Sequence, residues 1–375
     1  MALLVPCGWI ATNLAAVIAE LGAIAAFAMV LARRGVRERL WPLIAFAFGA
    51  ALWVHATQTM DYAFGLAFFL AAYAALLSRQ FTWAGVMLAL AVGCRPSYGL
   101  LLVPAATFLW MRGRLAAVVS FAVGFAPAVL VVEAPVLFAP ETRDLAGHLA
   151  RHAAHHATGS TLIPLLRGSV VFLIGKWAAA AFAIAVPLAA ARRMRGSRPA
   201  EAPPDRAAFA FEVLAAVAVA GFFLVIPYEP AYLLPVLPLI LITAARALPR
   251  PWTAVVAIAM ALQSLLSFEF ADRRLAPGDL FVELAERHAL LDRSNSQLAA
   301  RPTAPTAYTI GRFGIHRLIA LGGGLEVGAA GWSSFSASGV ALQSSDGRRI
   351  YAERFTAAGA ESLRNSGWRI RGEAP

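Results

Sequence analysis

Charge is scarce in this chain: only 14% of its 375 residues are Asp, Glu, Lys or Arg, where a soluble domain carries roughly a quarter. With 60% of positions hydrophobic, that shortage excludes an ordinary soluble globular protein and indicates an integral membrane one. Cysteine is limited to Cys7 and Cys94, which excludes a disulfide framework and a thiolate metal cluster. Both fall near the outer ends of apolar segments, so a single bridge is geometrically possible. Lysine occurs once, at Lys176, and the net charge of +11 is carried by Arg. Most arginines of the apolar part fall in short connections between apolar runs, a pattern set by membrane orientation, so no nucleic-acid partner is expected. Only MALLVPC precedes the first apolar run, with no basic stretch, so that run is not expected to be a signal peptide.

What the chain does have is long apolar runs, most of them near the ~20 residues that cross a hydrocarbon core of roughly 30 Å. They lie at about 8–32, 40–57, 62–78, 83–94, 97–111, 115–138, 168–191, 207–227, 231–245 and 252–270. The expected fold is therefore an α-helical polytopic membrane protein of about ten segments over residues 1–270. The polar residues 271–375 are expected to form a small α/β domain. Arg95-Pro96 separates two short segments and suggests one broken, re-entrant element. Basic clusters at Arg33 to Arg39, Arg79, Arg112 with Arg114, Arg192 to Arg206, and Arg246 with Arg250 mark the cytoplasmic connections. The alternate connections and the C-terminal domain then lie outside, so the expected location is the plasma (inner) membrane with an extracytoplasmic domain. The first segment must run inward from outside, as if an upstream helix and outer loop were missing.

Residues 57–109, TQTMDYAFGLAFFLAAYAALLSRQFTWAGVMLALAVGCRPSYGLLLVPAATFL, combine an Asp opening a helix, a basic turn, a glycine-led short helix, Arg-Pro and a further short helix. Residues 228–242, YEPAYLLPVLPLILI, add an aromatic-Leu-Leu-Pro-x-x-Pro helix opening. In order and spacing, residues 8–270 resemble the polytopic GT-C glycosyltransferases, the superfamily of protein O-mannosyltransferases and lipid A aminoarabinose transferases. The resemblance implies transfer of a sugar from a polyprenyl-phosphate carrier to a glycan, lipid or protein acceptor on the non-cytoplasmic face, with membrane lipids around the enzyme. One departure matters: the acidic residue that the family carries in its first outer loop has no counterpart. The sequence is then either a piece of a longer chain or that of an inactive relative.

Glycosyl transfer with inversion needs a carboxylate to take the acceptor's proton and positive or metal charge to stabilise the departing phosphate. Asp61 opens the third segment at the expected outer face and, by the resemblance, corresponds to an acidic position near the active site. Its structural alternative is an acid at a helix N-terminus. Glu229, in the second family-like motif with Tyr232, could reach the same site, and Glu133 is also near the outer face. Glu20 lies mid-span, where a carboxyl faces either a cavity or a partner within the bundle. For the phosphate, Arg95 is the first candidate, with Arg167 and Lys176 behind it. A guanidinium binds phosphate through paired hydrogen bonds, and the alternative for Arg95 is an Arg–carboxylate clamp inside the bundle. Lys176 could equally snorkel to the headgroups.

His148, His152, His155 and His156 lie in an outer loop and share an arc of about 100° on a helical wheel, next to Asp144 and Arg151. An amphipathic helix on the membrane surface is expected. Its imidazoles could hold a divalent metal, contact the phosphate or acceptor, or form a polar face without a ligand. No cofactor is otherwise implied, and a metal is left open. In the tail, GDLFVELAERHALLDR has helical spacing. VALQSSDGRRIYAERF reads as a hairpin turning at Asp346-Gly347, and AAGAESLRNSGWRIRG as a helix stopped by Gly367 before a strand. Gly322 to Gly324 lacks the Lys and following helix of a phosphate loop and reads as a turn. Two other functions fit the composition: a transporter or lipid flippase, and a catalytically inactive membrane scaffold.

Overall fold

A computed structural model of the chain describes residues 8–49, 51–52, 62–137, 162–194, 205–225, 230–269, 274–278, 281, 285, 304–309, 325–327, 341–344, 347–352 and 355–371. It forms two compact units, Asn13–Leu280 and Phe281–Pro375 with Met1–Thr12.

The first unit is helical: α1 (Gly8–Arg33, in this unit from Asn13 on), α2 (Leu40–Ala47), α3 (Tyr62–Leu77), α4 (Phe81–Cys94) and α5 (Leu102–Leu137), then α6 (Leu162–Ile174), α7 (Lys176–Met194), α8 (Arg206–Val225), α9 (Val236–Ala247) and α10 (Arg250–Leu265). Runs of Ala and Leu favour helix, and helix satisfies every backbone polar group within the segment, as an apolar environment demands. The breaks have local causes. Pro96 biases Arg95 to extended backbone (φ −150, ψ 120), which ends α4, and a 3-10 turn Pro96–Leu101 leads into α5. Gly35 (φ 68) closes α1, with Val36 N donating to Leu31 O at 3.0 Å. Between α6 and α7 the chain bends by 94° at Gly175 (φ 83).

Arg114, at φ 52 and ψ −141, breaks α5 into two legs. Packing against α4 shows that the legs run in opposite directions. Along the second leg Gly124 meets Thr82 and Val132 meets Gly93, so this leg is parallel to α4. The first leg leaves the C-terminal end of α4 and must return to its N-terminal end before the second can start. A Cβ on Gly85 would lie 2.2 Å from Phe121 O, and one on Gly124 2.0 Å from Thr82 O, so only glycine allows the two backbones this close. The two legs match the separate apolar segments expected at 97–111 and 115–138.

Among the described residues three stretches are long and apolar enough to cross a membrane, Leu14–Arg33, Pro96–Ala134 with its reversal at Arg114, and Arg206–Leu224, and the bent pair α6 and α7 makes a fourth if counted as one. Val103, Leu115, Val123, Leu130 and Val131 on α5 are 61% to 75% exposed, an apolar surface too extensive for water to face at low cost. The core inside the bundle is built from Phe27, Phe46, Phe69, Phe108 and many alanines. The last apolar segment is shorter than its expected end at 270. α10 stops at Leu265, and β1 (Leu266–Glu269) pairs antiparallel with β2 (Arg274–Pro277), setting Glu269 opposite Arg274. This hairpin lies within the first unit.

The second unit contains a sheet of β3 (Thr306–Thr309), β4 (Leu325–Val327), β5 (Ala341–Ser344), β6 (Arg349–Ala352) and β7 (Arg369–Arg371), with α11 (Ala357–Asn365) before the last strand. The strand order is β4-β5-β6-β3-β7, with β3 parallel to both neighbours. The expected hairpin is present: Leu342 faces Tyr351, and Gly347 takes φ 65 at the turn. Gly367 (φ 82) ends α11, with Trp368 N donating to Leu363 O at 2.9 Å, and β7 follows. Ala307, Ile350, Ala352 and Leu363 form the core of this unit. The expected helix at 278–293 and the turn at 322–324 lie outside the described residues, apart from isolated positions.

Candidate functional site

Helix directions place two polar loci at opposite ends of the helical unit. α3 begins at Tyr62 and reaches Tyr73 eleven residues later, a rise of about 16 Å. α8 runs the other way, from Glu212 near its start to Phe222 near its end.

The first locus is a small cleft at the Tyr62 end, whose lining includes Tyr62, Arg95, Ser97, Tyr98, Phe222 and Tyr232. Each comes from a helix end or break: Tyr62 from the start of α3, Arg95 to Tyr98 from the Pro96 interruption, and Tyr232 from the 3-10 turn Pro230–Leu233 before α9. The guanidinium carbon of Arg95 stands 3.3 Å from the ring centroid of Tyr62 and 5.2 Å from that of Tyr232. Stacking of this kind fixes the guanidinium through its face, while its N–H groups lie in the plane. Tyr98 fits beneath α3 because residue 65 is glycine; a Cβ there would sit 2.7 Å from its ring. Phe172 of α6 packs on the cluster of Ala51, Tyr62, Ala231 and Leu234, so the bent helix pair closes one side of this end.

The bend itself is held by Gln263. Its Oε1 accepts a hydrogen bond from Trp177 N at 2.9 Å, and its buried amide lies where a Cβ on Gly175 would be, 2.5 Å away.

The second locus is a buried ion pair at the other end. Arg34 Nε donates to Glu212 Oε1 at 2.7 Å and its terminal nitrogen to Oε2 at 3.0 Å, while the Tyr73 hydroxyl donates to Oε1 at 2.6 Å. Nearby, Arg112 pairs with Asp205, and Arg250 pairs with Glu38 at 3.5 Å on the surface. This end is rich in exposed arginine: Arg33, Arg37, Arg39, Arg79, Arg114 and Arg206.

Of the residues expected at a site, the structure brings together Arg95 and Tyr232, which are far apart in sequence. It adds Tyr62, Tyr98 and Phe222, which the sequence reading did not single out. Lys176 is exposed at the α6–α7 corner and does not line the cleft. Glu133 is half-buried on α5, and Glu20 is 7% exposed within α1. Asp61, Glu229 and His148, His152, His155 and His156 lie outside the described residues, as does the side chain of Arg167. Among the described residues no group of three or more His, Cys, Asp or Glu could hold a metal. An Arg–carboxylate clamp is present inside the bundle between Arg34 and Glu212. The signal for it was a lone acid early in an apolar segment, with Arg34 counted only toward orientation.

No family model matches the chain, and neither a curated protein nor a solved structure matches it significantly.

Proposed function

We propose that this protein is a membrane glycosyltransferase that takes a sugar from a polyprenyl-phosphate carrier and passes it to an extracytoplasmic acceptor. The observation that carries the proposal is the Arg95 cleft. It holds a guanidinium fixed by aromatic rings at a helix break, at the end of the bundle opposite the exposed arginines. A cation held in this way suits a phosphate, and Phe222 and Tyr232, the less buried rings of the lining, offer faces to a sugar ring or the first units of an isoprenoid. In this reading Arg95 stabilises the phosphate as the glycosidic C–O bond breaks. Asp61, next to Tyr62 in sequence, takes the proton of the attacking hydroxyl, with Glu229 as the second carboxylate near Tyr232. The histidines of 148–156 border the acceptor side. The spanning topology of about ten segments, and the placement of the C-terminal unit outside, belong to the same proposal.

The test is transfer of radiolabelled sugar from a panel of undecaprenyl-phosphate sugars to cell-envelope acceptors, with purified protein and a version extended upstream. Transfer by the wild type that Asp61→Asn abolishes without unfolding supports the reading. Transfer by the extended version alone assigns the upstream residues an essential part. Silence from both folded proteins rejects the transferase and leaves the transporter or scaffold reading.

A further inference from the structure

Arg79 and Arg114 are the two non-glycine residues with positive φ among those described, at 58 and 52. An L-residue with a Cβ pays steric strain in this region, and glycine does not. The chain itself supplies the comparison for Arg79. Three of its helix ends share one hydrogen-bond pattern: Val36 N to Leu31 O, Gln80 N to Ala75 O and Trp368 N to Leu363 O, at 3.0, 2.9 and 2.9 Å. In two of them the left-handed residue is glycine, Gly35 and Gly367; in the third it is Arg79. At the α5 reversal the strained position likewise falls on Arg114, although Gly113 stands one residue before it.

The two turns adjoin. Both belong to the N-terminal end of α4, and a Cβ on Gly113 would lie 3.6 Å from the ring of Phe81. Both arginines are exposed, and among the described residues neither guanidinium takes part in an ion pair or side-chain hydrogen bond. Arg112, between them, is committed to Asp205. Trp83 lies four residues after Arg79 and Trp110 four before Arg114, 61% and 63% exposed, with Leu115 65% exposed beside them. Exposed tryptophan next to arginine above an apolar helix surface is the composition of a membrane interface. Backbone strain kept at an exposed turn indicates that the side chain, rather than the turn, is what the position needs.

We infer that Arg79 and Arg114 form a binding site for the phosphate of an anionic phospholipid headgroup, with Trp83 and Trp110 flanking the acyl chains. The site rests on the membrane-spanning reading of the helices and is independent of the transferase chemistry at the opposite end. The guanidinium pair meets the phosphate through charge-assisted hydrogen bonds.

The experiment follows thermal unfolding of the full chain in a neutral detergent with added phosphatidylglycerol, phosphatidylcholine or inorganic phosphate. Phosphatidylglycerol is expected to raise the Tm of the wild type by roughly 3 °C or more, and the other two are not. The double variant Arg79→Gly/Arg114→Gly is expected to lose that rise while melting no lower than the wild type without lipid, since glycine relieves the strain. Arg33→Ala/Arg37→Ala, which removes two unstrained arginines at the same end, keeps most of the rise. The inference is overturned if the glycine variant retains the rise, or melts lower without lipid. An equal loss in the control pair means diffuse charge and overturns it too. So does an equal response to phosphatidylcholine or to inorganic phosphate.

Discussion

The buried pair at the basic end sets a sharp expectation for Glu212→Gln. Arg34 and Glu212 have side chains only 2% and 5% exposed, and the pair is bidentate with a third hydrogen bond from Tyr73. The substitution is isosteric, so it makes no cavity, but it leaves the Arg34 guanidinium buried without a counter-charge. Breaking such a pair from one side costs about 3–5 kcal/mol. Replacing both partners by apolar groups removes the desolvation penalty with the attraction, so Arg34→Met/Glu212→Leu is expected within about 1 kcal/mol of the wild type or above it. Tyr73→Phe loses a hydrogen bond to a charged group, about 1.5–3 kcal/mol, and should cost little once Glu212 is already Leu. The assay is reversible unfolding in mixed micelles followed by tryptophan fluorescence, with the double-mutant cycle evaluated for Arg34 and Glu212. A single-variant cost under about 0.5 kcal/mol, or additive single and double effects, would refute the network as the lock between α1, α3 and α8.

Gly124→Ala should destabilise by about 1–3 kcal/mol, because the new methyl lands on the Thr82 carbonyl, and the same denaturation assay reads it. Gln263→Leu removes the acceptor of Trp177 N at the 94° corner and should cost about 1–3 kcal/mol, with altered Trp177 emission from a loosened corner. Unchanged stability and emission would mean that the corner is held elsewhere. In the second unit Gly347→Val forces a β-branched residue to φ 65 and should weaken that hairpin by about 1–2 kcal/mol, read by amide exchange in β5 and β6.

Much of the helical unit was legible because apolar runs and their breakers are local signals. Pro96 turned Arg95 extended, Pro249 and Pro251 opened α10, and the basic turns at Arg79 and Arg114 separated neighbouring helices. The hairpin at Gly347 and the stop at Gly367 were legible for the same reason, since both turns demand positive φ. α10 ends a few residues before the expected 270: SLLSFEF mixes Leu and Phe with Ser267 and Glu269, and pairing with residues 274–277 makes its last part a strand. Hydropathy does not distinguish helix from strand in so short a run. At the cleft, Arg95 stood out as a charge at a break, and Tyr232 through its motif. Tyr62, Tyr98 and Phe222 did not, since an aromatic in an apolar segment looks the same whether it faces lipid, core or cleft. Glu212 was hidden in another way: its partner is 178 residues away, so the pair exists only once α1 and α8 are side by side.

The central claim is that Arg95 holds the phosphate of a polyprenyl carrier, and binding measures it without requiring the sugar or acceptor. Undecaprenyl phosphate would be titrated against the purified chain and against Arg95→Lys and Arg95→Ala, with folding verified by Tm. The account predicts saturable binding by the wild type, weakened roughly tenfold or more in Arg95→Lys, which keeps the charge but loses the paired hydrogen bonds and the stack on Tyr62, and further in Arg95→Ala. Equal affinity in all three folded proteins would contradict it and return Arg95 to a purely structural role at the end of α4.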